Sequence, residues 1–510
     1  MAQFTLDEVA KHASPKDMWI VIDGDVYDVT KFSALHPGGQ FPLVEVAGTD
    51  CTEQFYGLHR GDILKNPRFA KLKIGTLAGK KAELAVQEAP YSEAHGFWRK
   101  ASPYYTESHH RFRAAIREIM EREVIPTAAE DDEEDSYPSP ELMLALGKAG
   151  FIAAMFSSDG KVVKQAGFDK LPGGVDPMEV DEFHELILTE EVKRIGCYGF
   201  SDGLNGGLAI GLPPVYKFGS QKLIDEIVPA VFRGEKRICL AITEPYGGSD
   251  VAGIHTTAVK SADGKTWTIN GVKKWITGGM FAEYFTTLCK TDKGITMIVV
   301  PRSAGVDTKR IKTSYSGAAG TAYVEYKDCV VPVEYTVGKE GAGFMYAMAN
   351  FNKERWGMVA AGNRMSRLMV EECFKWALQR KVFGKRLIDQ PVIRFKLAQM
   401  AAEVESVHSF LEDLTYQMTQ MSPKEVNSHL AGPIALLKYQ QTRVATLVSD
   451  NACQIFGGRA LTRTGMGQFV EKFQRSFKMQ AILGGSEEIM ADFAMRQAVK
   501  KADGKQVAKL

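Results

Sequence analysis

At 510 residues the chain is long for one hydrophobic core, so several domains are expected, and 45% apolar with 25% charged residues is globular composition. A net charge of +1 gives no overall field to attract nucleic acid or an anionic membrane, so nucleic acid is not an expected partner and anionic ligands must meet local clusters. The seven cysteines, Cys51, Cys197, Cys239, Cys289, Cys329, Cys373 and Cys453, are scattered without the close pairs of a zinc or thioredoxin-like site, and read as reduced thiols of an intracellular protein.

Residues 1–77 alternate short β-prone runs such as MWIVIDGDVYDVT with short helical stretches and read as a small α+β domain. Within it His36 stands in LHPGGQ and His59 in FYGLHRGD. Two histidines on opposing turns can give both axial nitrogens to a heme iron, with Pro37, Gly38 and Gly39 turning the chain so that the ring faces inward. Two surface histidines near turns is the plainer reading of the same residues. Residues 78–99 lack sustained apolar periodicity and read as a linker.

Residues 100–234 read as helical, with RFRAAIREIMEREVI expected to stop at Pro126 and the charge run Glu130 to Asp135 expected as a solvated turn. Gly203, Gly206, Gly207 and Gly211 either widen a pocket or let helices pack closely, with packing slightly favoured. Residues 235–340 turn to β-prone runs: RICLAIT, TAVKSA, KTWTINGVKKWIT, YFTTLCKT and ITMIVV. Asn270-Gly271 predicts a type I′ hairpin turn. Helical patterns return over 341–500.

Residues 501–510 end in Ala508, Lys509 and Leu510, a variant of the peroxisomal SKL address, so a peroxisome is expected, with cytoplasm or mitochondrion as alternatives. No apolar run approaches the roughly 20 residues that span a bilayer. The start lacks the basic-then-apolar order of a secretory signal, and Asp7 and Glu8 argue against a transit peptide.

The segment WIVIDGDVYDVTKF, then HPGG, then AGTDCTEQFYGLH, then LKIGTL resembles the cytochrome b5 family in order and spacing. The resemblance implies heme b, with His36 and His59 as axial ligands. Phe32, Leu43 and Phe55 would then line the heme pocket, although apolar residues there equally suit an ordinary core.

Leu240 to Ile254, LAITEPYGGSDVAGI, is a small-residue loop that can bring backbone amides against a flavin or a phosphate. ITEPxxGSD followed by INGxKxWIT resembles the acyl-CoA dehydrogenase family, and the likeness covers about residues 100 to 500. It implies helical, β and helical domains, the last a four-helix bundle, with FAD as cofactor and a homodimer or homotetramer. It places Leu240, Ile242, Thr243, Ser249, Trp275 and Thr277 at FAD, Ser249 also touching substrate. Tyr246 stands where the family commonly has a small residue. ALQRKVFGKRLIDQPVIRFKLAQMAAE resembles the family's dimer-contact helix, with Arg380, Phe383 and Gln390 at the neighbouring subunit's FAD. DNACQIFGGRA resembles the second dimer-contributed element, through Gln454, Gly457 and Gly458. Ser486 and Glu488 match further FAD positions.

The chemistry implied is removal of an α-proton from an acyl-CoA thioester while the β-hydride goes to flavin, which needs a carboxylate base. Many members carry it near the C-terminus, where this chain has ILGGSEEIM with Gly484 in its place. The long-chain and isovaleryl branches supply a glutamate from an adjacent helix, and the matching residue here is Glu354 in ANFNKERWGMVAAG. Phe351, Asn352, Arg355 and Gly484 match substrate-binding positions. The implied product is the trans-2-enoyl-CoA, with electrons passed to the fused heme or to an unknown downstream acceptor. An oxidase that forms hydrogen peroxide and an inactive electron-transfer scaffold are the alternatives.

Overall fold

The computed structural model describes residues 2–65, 67–79, 89–94, 97, 101–156 and 159–503, so most of the expected linker and the Ala508–Leu510 end lie outside the described residues. The chain forms two compact units: Met1–Ser92, Glu371–Ala398 and Ala452–Gln468 in the first, and Glu93–Val370, Gln399–Asn451 and Phe469–Leu510 in the second.

The first unit carries a five-stranded sheet of β1 (Ala2–Phe4), β2 (Ala13–Ser14), β3 (Asp17–Ile22), β4 (Asp25–Asp28) and β5 (Lys73–Leu77), in the order β1-β5-β4-β3-β2. β3 and β4 form a hairpin over Asp23-Gly24, both at positive φ, the type I′ geometry that Asp-Gly favours. Alternation along the strands sends Met18, Ile20, Ile22 and Tyr27 to one core with Leu43, Ala47 and Cys51, and Val21, Val26 and Leu77 to another with Val9. Helices α1 (Phe41–Val46) and α2 (Thr52–Tyr56) follow β4 and carry the chain between the two histidines. In the rest of this unit Trp376 stacks on Phe456 at 5.6 Å, tying residues 371–398 to 452–468.

The second unit begins with helices, among them α3 (Glu107–Ile119), α4 (Ile125–Glu133), α5 (Glu182–Lys193), α6 (Pro213–Phe218) and α7 (Gln221–Phe232). A seven-stranded sheet follows: β6 (Ile238–Ala241), β7 (Thr257–Lys260), β8 (Thr266–Ile276), β9 (Tyr284–Thr291), β10 (Gly294–Pro301), β11 (Val306–Arg310) and β12 (Ala322–Pro332). Its order is β10-β9-β7-β8-β12-β11, with β6 parallel to β9. Four long helices complete the chain: α8 (Gly343–Gln379), α9 (Pro391–Thr419), α10 (Ala431–Phe456) and α11 (Glu487–Ala502). Between α8 and α9 lies a hairpin of β13 (Lys381–Val382) and β14 (Lys385–Arg386). This is the expected order of a small α+β domain followed by helical, β and helical regions.

Several local expectations are corrected. Pro126 does not stop the helix: a π-turn at Met120–Val124 leads into α4, where Pro126 lies in the first turn and has no intrahelical N–H to lose. The charge run Glu130 to Asp135 is not a solvated turn. Asp132 is buried, accepts from Phe200 N at 2.8 Å and pairs with Lys472 at 3.0 Å, while Asp135 binds Arg310 and Gly317 N. Acidic residues here staple α4 to its neighbours.

Asn270-Gly271 does not turn the chain but lies inside β8. Gly271 is there because Thr256 crosses it: a Cβ would stand 2.5 Å from the threonine hydroxyl oxygen. The stretch read as a dimer-contact helix is the end of α8, a two-stranded hairpin and the start of α9. The glycines of GLNGGLAIG serve close packing, since a Cβ on Gly203 would meet the Ala318 carbonyl at 2.2 Å and one on Gly211 the Cys239 backbone at 2.6 Å. No helix among the described residues is long and apolar enough to cross a membrane.

Candidate active site and heme site

His36 and His59 face each other in the first unit, with ring centres 5.8 Å apart. Two imidazoles bound through Nε2 to one ion, at metal–nitrogen distances of about 2 Å, stand roughly this far apart. Each Nδ1 is engaged, that of His36 with the Gly39 carbonyl (2.7 Å) and that of His59 with the Phe55 carbonyl (3.2 Å). A carbonyl only accepts, so each Nδ1 carries the proton and each Nε2 keeps its lone pair for a metal. Burial also lowers the His59 pKa, outweighing the Phe55 hydrogen bond, and His36 lowers it further.

Gly38 makes room for the His36 ring, because a Cβ would lie 2.9 Å from Cε1. Phe55 stacks on His59 at 4.7 Å and Phe32 meets His36 edge-on at 5.9 Å, and both rings pack against the sheet core that contains Leu43. Leu35 and Leu58, the residues just before the two histidines, are exposed. These residues fit a bis-histidine heme.

In the second unit the loop after β6 is held from behind by a buried ion pair that sequence reasoning did not single out. Lys273 Nζ donates to Glu244 (2.7 Å) and to the Ile242 and Leu288 carbonyls (3.1 and 2.8 Å). Glu244 also accepts from His255 N (2.5 Å), Thr256 N (3.0 Å) and Thr256 Oγ1 (2.6 Å). Burial raises the Glu244 pKa, but these bonds outweigh it and hold the carboxyl down to about 2. Burial pulls the Lys273 pKa down, against the opposing pull of Cys289 and Glu244.

Thr243 is tied to the same frame by Lys274 N, which donates to its carbonyl at 2.8 Å. Next to it Trp275 adopts φ +64 at a register shift between β8 and β12, as in a β-bulge that re-aims a side chain. A bulky residue held there costs on the order of 1–3 kcal/mol, a strain that gathers at ligand sites. Its indole is 49% exposed, with Tyr246 and Ser249 exposed on the loop and Thr243 and Thr277 half-buried. Leu240 is half-buried and Ile242 buried, so the latter presents backbone only. An open aromatic face beside a rigid loop fits the flat ring of a flavin.

Other expected flavin residues lie in the first unit. Phe383 tops the β13–β14 hairpin at φ +51 and is 95% exposed. Arg380 and Arg459 both lie over Trp376, at 5.9 and 4.8 Å, which brings Arg380 together with the segment of Gln454, Gly457 and Gly458. Gln390 precedes α9, its carbonyl accepting from Ile393 N at 3.1 Å. In the second unit Ser486 caps α11 through Ile489 N, and Glu488 is exposed.

Glu354 lies on α8, half-buried yet surrounded by enough protein for burial to raise its pKa to about 7, against the opposing pull of Asn350, Arg355 and Lys217. Asn350 Nδ2 donates to Glu354 Oε1 at 2.7 Å. Arg355 Nε donates to the Gly484 carbonyl at 3.1 Å and its guanidinium lies 5.6 Å from the Phe351 ring centre, which gathers three expected substrate residues around the arginine whose charge acts on the carboxyl. Asn352 joins them: its Oδ1 accepts from Arg355 Nη1 at 3.2 Å, while its Nδ2 donates to Asn427 Oδ1 at 2.8 Å, and the residue is buried.

Gly484 has φ +64, and a Cβ there would lie 2.6 Å from Met358 Sδ, one turn beyond Glu354. A side chain there would be strained by the left-handed backbone and would have to displace the Met358 thioether. Glu487 is taken up by Thr442 Oγ1 (3.0 Å) and Lys478 (3.2 Å), its pKa lowered by these groups against burial.

His109, Asp181 and His184 also converge, but as two interlocked helix caps: His109 Nδ1 accepts from Thr106 N, and Asp181 accepts from Phe183 N and from both imidazoles.

The comparisons with known proteins agree with this architecture. Residues 5–78 match the cytochrome b5-like heme/steroid binding domain, and residues 106–235, 239–329 and 341–499 match the N-terminal, middle and C-terminal domains of acyl-CoA dehydrogenase. The chain belongs to the acyl-CoA dehydrogenase family and carries an N-terminal cytochrome b5-like domain. It is 37% identical over 434 residues to the acyl-CoA dehydrogenase apdG of Emericella nidulans, covering 83% of this chain and 99% of that one. With the mouse mitochondrial short-chain specific acyl-CoA dehydrogenase the identity is 29%, over 80% of this chain and 96% of that one.

Among solved structures, an acyl-CoA dehydrogenase from Geobacillus kaustophilus aligns with a TM-score of 0.68 at 27% identity, over 78% of this chain and all (100%) of that one. One from Bacillus anthracis complexed with FAD aligns at 0.69 and 25% identity, over 78% and 68%. The dehydrogenase fold binds FAD and the N-terminal domain binds heme.

Proposed function

We propose that this enzyme removes the α-proton of an acyl-CoA with Glu354, yields the trans-2-enoyl-CoA, and delivers the electrons to its own heme domain. FAD, when bound, supplies the hydride acceptor. The reading rests above all on Glu354: a carboxyl raised to about 7, half open, beside a loop whose Gly484 cannot carry the base. A base with a pKa near the working pH is unprotonated often enough to act and strong enough to take a weakly acidic proton.

Leu240, Ile242, Thr243, Ser249, Trp275 and Thr277 would hold the FAD. Ser486 and Glu488 contribute from the start of α11. Arg380, Phe383, Gln390, Gln454, Gly457 and Gly458 reach the flavin of a second copy, which makes the working enzyme at least a homodimer. Exposure of Phe383 supports this, since an apolar ring left in water is stabilised by burial against a partner. Ser249, Phe351, Asn352, Arg355 and Gly484 line the thioester and CoA side.

Anaerobic titration with a series of acyl-CoAs, following flavin and heme absorbance separately, tests the scheme. Flavin bleaching followed by heme reduction is expected. Peroxide formation with the heme left oxidised would assign the electrons to oxygen instead.

A further inference from the structure

The carboxyl of Glu354 is the end of a chain of polar groups reaching back to another helix. Asn350 stands four residues before Glu354 on α8, the spacing that stacks two side chains on one helix face. Its amide nitrogen donates to Glu354 Oε1 at 2.7 Å, and its amide oxygen accepts from Lys217 Nζ, on α6, at 3.4 Å. The charges at the two ends fix this orientation. The opposite flip would turn a carbonyl oxygen toward a carboxylate and an NH₂ toward an ammonium, which is repulsive at both ends. Asn350 is buried, so its amide cannot trade these partners for bulk water.

We propose that Asn350 and Lys217 are positioning residues for the base: the Lys217 ammonium polarises the Asn350 amide, and the amide occupies Glu354 Oε1 so that Oε2 is presented to the substrate α-proton. This rests on the reading of Glu354 as the base. The arrangement gives two effects at once. One carboxylate oxygen is pinned, which fixes the plane of the group, and the donated hydrogen bond favours the charged form that burial disfavours.

Arg355, on the same helix, also pulls the carboxyl down through its charge, more than Lys217 does, but its donors go to the Gly484 carbonyl and Asn352 Oδ1, so the hydrogen bond that pins Oε1 comes from Asn350. Lys217 shares its surroundings with Lys353, Glu185 and Asp159, of which Lys353 and Glu185 are paired with each other at 2.6 Å.

The test is the pH dependence of kcat/KM for the holoenzyme and for Lys217→Met, Lys217→Arg and Asn350→Leu. Lys217→Met should raise the acid limb by about 0.5–1 unit, a threefold to tenfold loss below the limb that vanishes well above it. Lys217→Arg should keep the wild-type limb, because it restores the cation. Asn350→Leu should shift the limb at least as far and also lower the alkaline plateau.

A second readout does not depend on turnover. The pH window in which Glu354→Gln alters the thermal unfolding midpoint should move upward by the same amount in the Lys217→Met background. A uniform loss at all pH values with an unmoved limb and an unmoved unfolding window would overturn the proposal and leave Asn350 as packing. Wild-type activity in Glu354→Gln alone would instead overturn the assignment of the base.

Discussion

Arg60, the residue after the axial ligand His59, pairs with Glu372 in the last third of α8, Nη2 meeting Oε1 at 3.2 Å. A second pair, Glu53 with Lys381, joins α2 to the hairpin that carries Phe383. The two differ in weight. Glu372 is 5% exposed and Arg60 14%, and removing one partner of a buried pair costs about 3–5 kcal/mol, whereas exposed pairs such as Glu53–Lys381 contribute about 0–1.

Glu372→Gln should therefore loosen the seat of the segment that carries His59, while Glu53→Gln should not. In stopped-flow mixing with a good acyl-CoA, flavin bleaching should stay at the wild-type rate in both. Heme reduction should slow at least tenfold in Glu372→Gln, with a rise in protease cleavage of the heme domain. Equal heme reduction in all three proteins would separate this contact from electron delivery.

Glu354→Gln should leave acyl-CoA binding nearly intact and lower turnover by several orders of magnitude, because the amide keeps the shape and loses the basicity. Stability gives an independent check with a definite sign. The folded pKa of about 7 lies above the ordinary 4.5, so the folded state binds the extra proton between those values and loses relative stability as pH rises through them. The variant should match the wild type near pH 4 and have the higher unfolding midpoint at pH 8. A midpoint difference that does not change with pH would show that Glu354 titrates normally.

Restoring a glutamate at Gly484 should not rescue that variant. The backbone at φ +64 and the 2.6 Å approach to Met358 Sδ both oppose a side chain. Glu354→Gln/Gly484→Glu should stay inactive and unfold at a lower temperature than Glu354→Gln, measured by calorimetry and steady-state rates. Recovery of activity in the double variant would show that the loop can open.

Gly38→Ala should weaken heme binding by crowding the His36 ring at Cε1. The low-spin heme spectrum should fade or require excess heme, while acyl-CoA still bleaches the flavin. His36→Ala and His59→Ala should each abolish that spectrum. An unchanged spectrum in Gly38→Ala would mean that the loop yields more easily than its contacts indicate.

What could be read from the chain was whatever is written in local residue order. The HPGG turn with its two histidines, and the Gly484 gap beside Glu354, are linear patterns, and the folded chain brings His36 to His59 and Arg355 to Gly484. β12 escaped because a bulge at Asp328, φ +47, breaks its alternation of buried residues. Asp132 was misread because a carboxylate looks solvated until its partner is known, and Lys472 lies far away in sequence. Arg60–Glu372 and Lys217–Asn350 are equally invisible, since nothing in the sequence pairs residues that far apart.

Lys273→Met should be the most damaging single change in the β-domain. Lys273 and Glu244 are 0% and 2% exposed, so the variant leaves a buried carboxylate without its cation, a loss of about 3–5 kcal/mol when one partner of such a pair is removed. The Ile242 and Leu288 carbonyls lose their donor as well. The loop from 242 to 256 should loosen, and FAD should be retained poorly, as measured by the flavin-to-protein absorbance ratio after gel filtration. Glu244→Gln/Lys273→Met should recover part of the stability, because the uncompensated charge is gone. Acid should act in the same direction as the single variant. Glu244 has its pKa depressed to about 2, so its contribution is complete above the ordinary 4.5 and is lost as pH falls toward 2. Wild-type flavin retention between pH 7 and 5, with release only below about pH 4, is therefore expected. Flavin bound to Lys273→Met as tightly as to the wild type would mean that the loop is held by its own backbone and not by the ion pair.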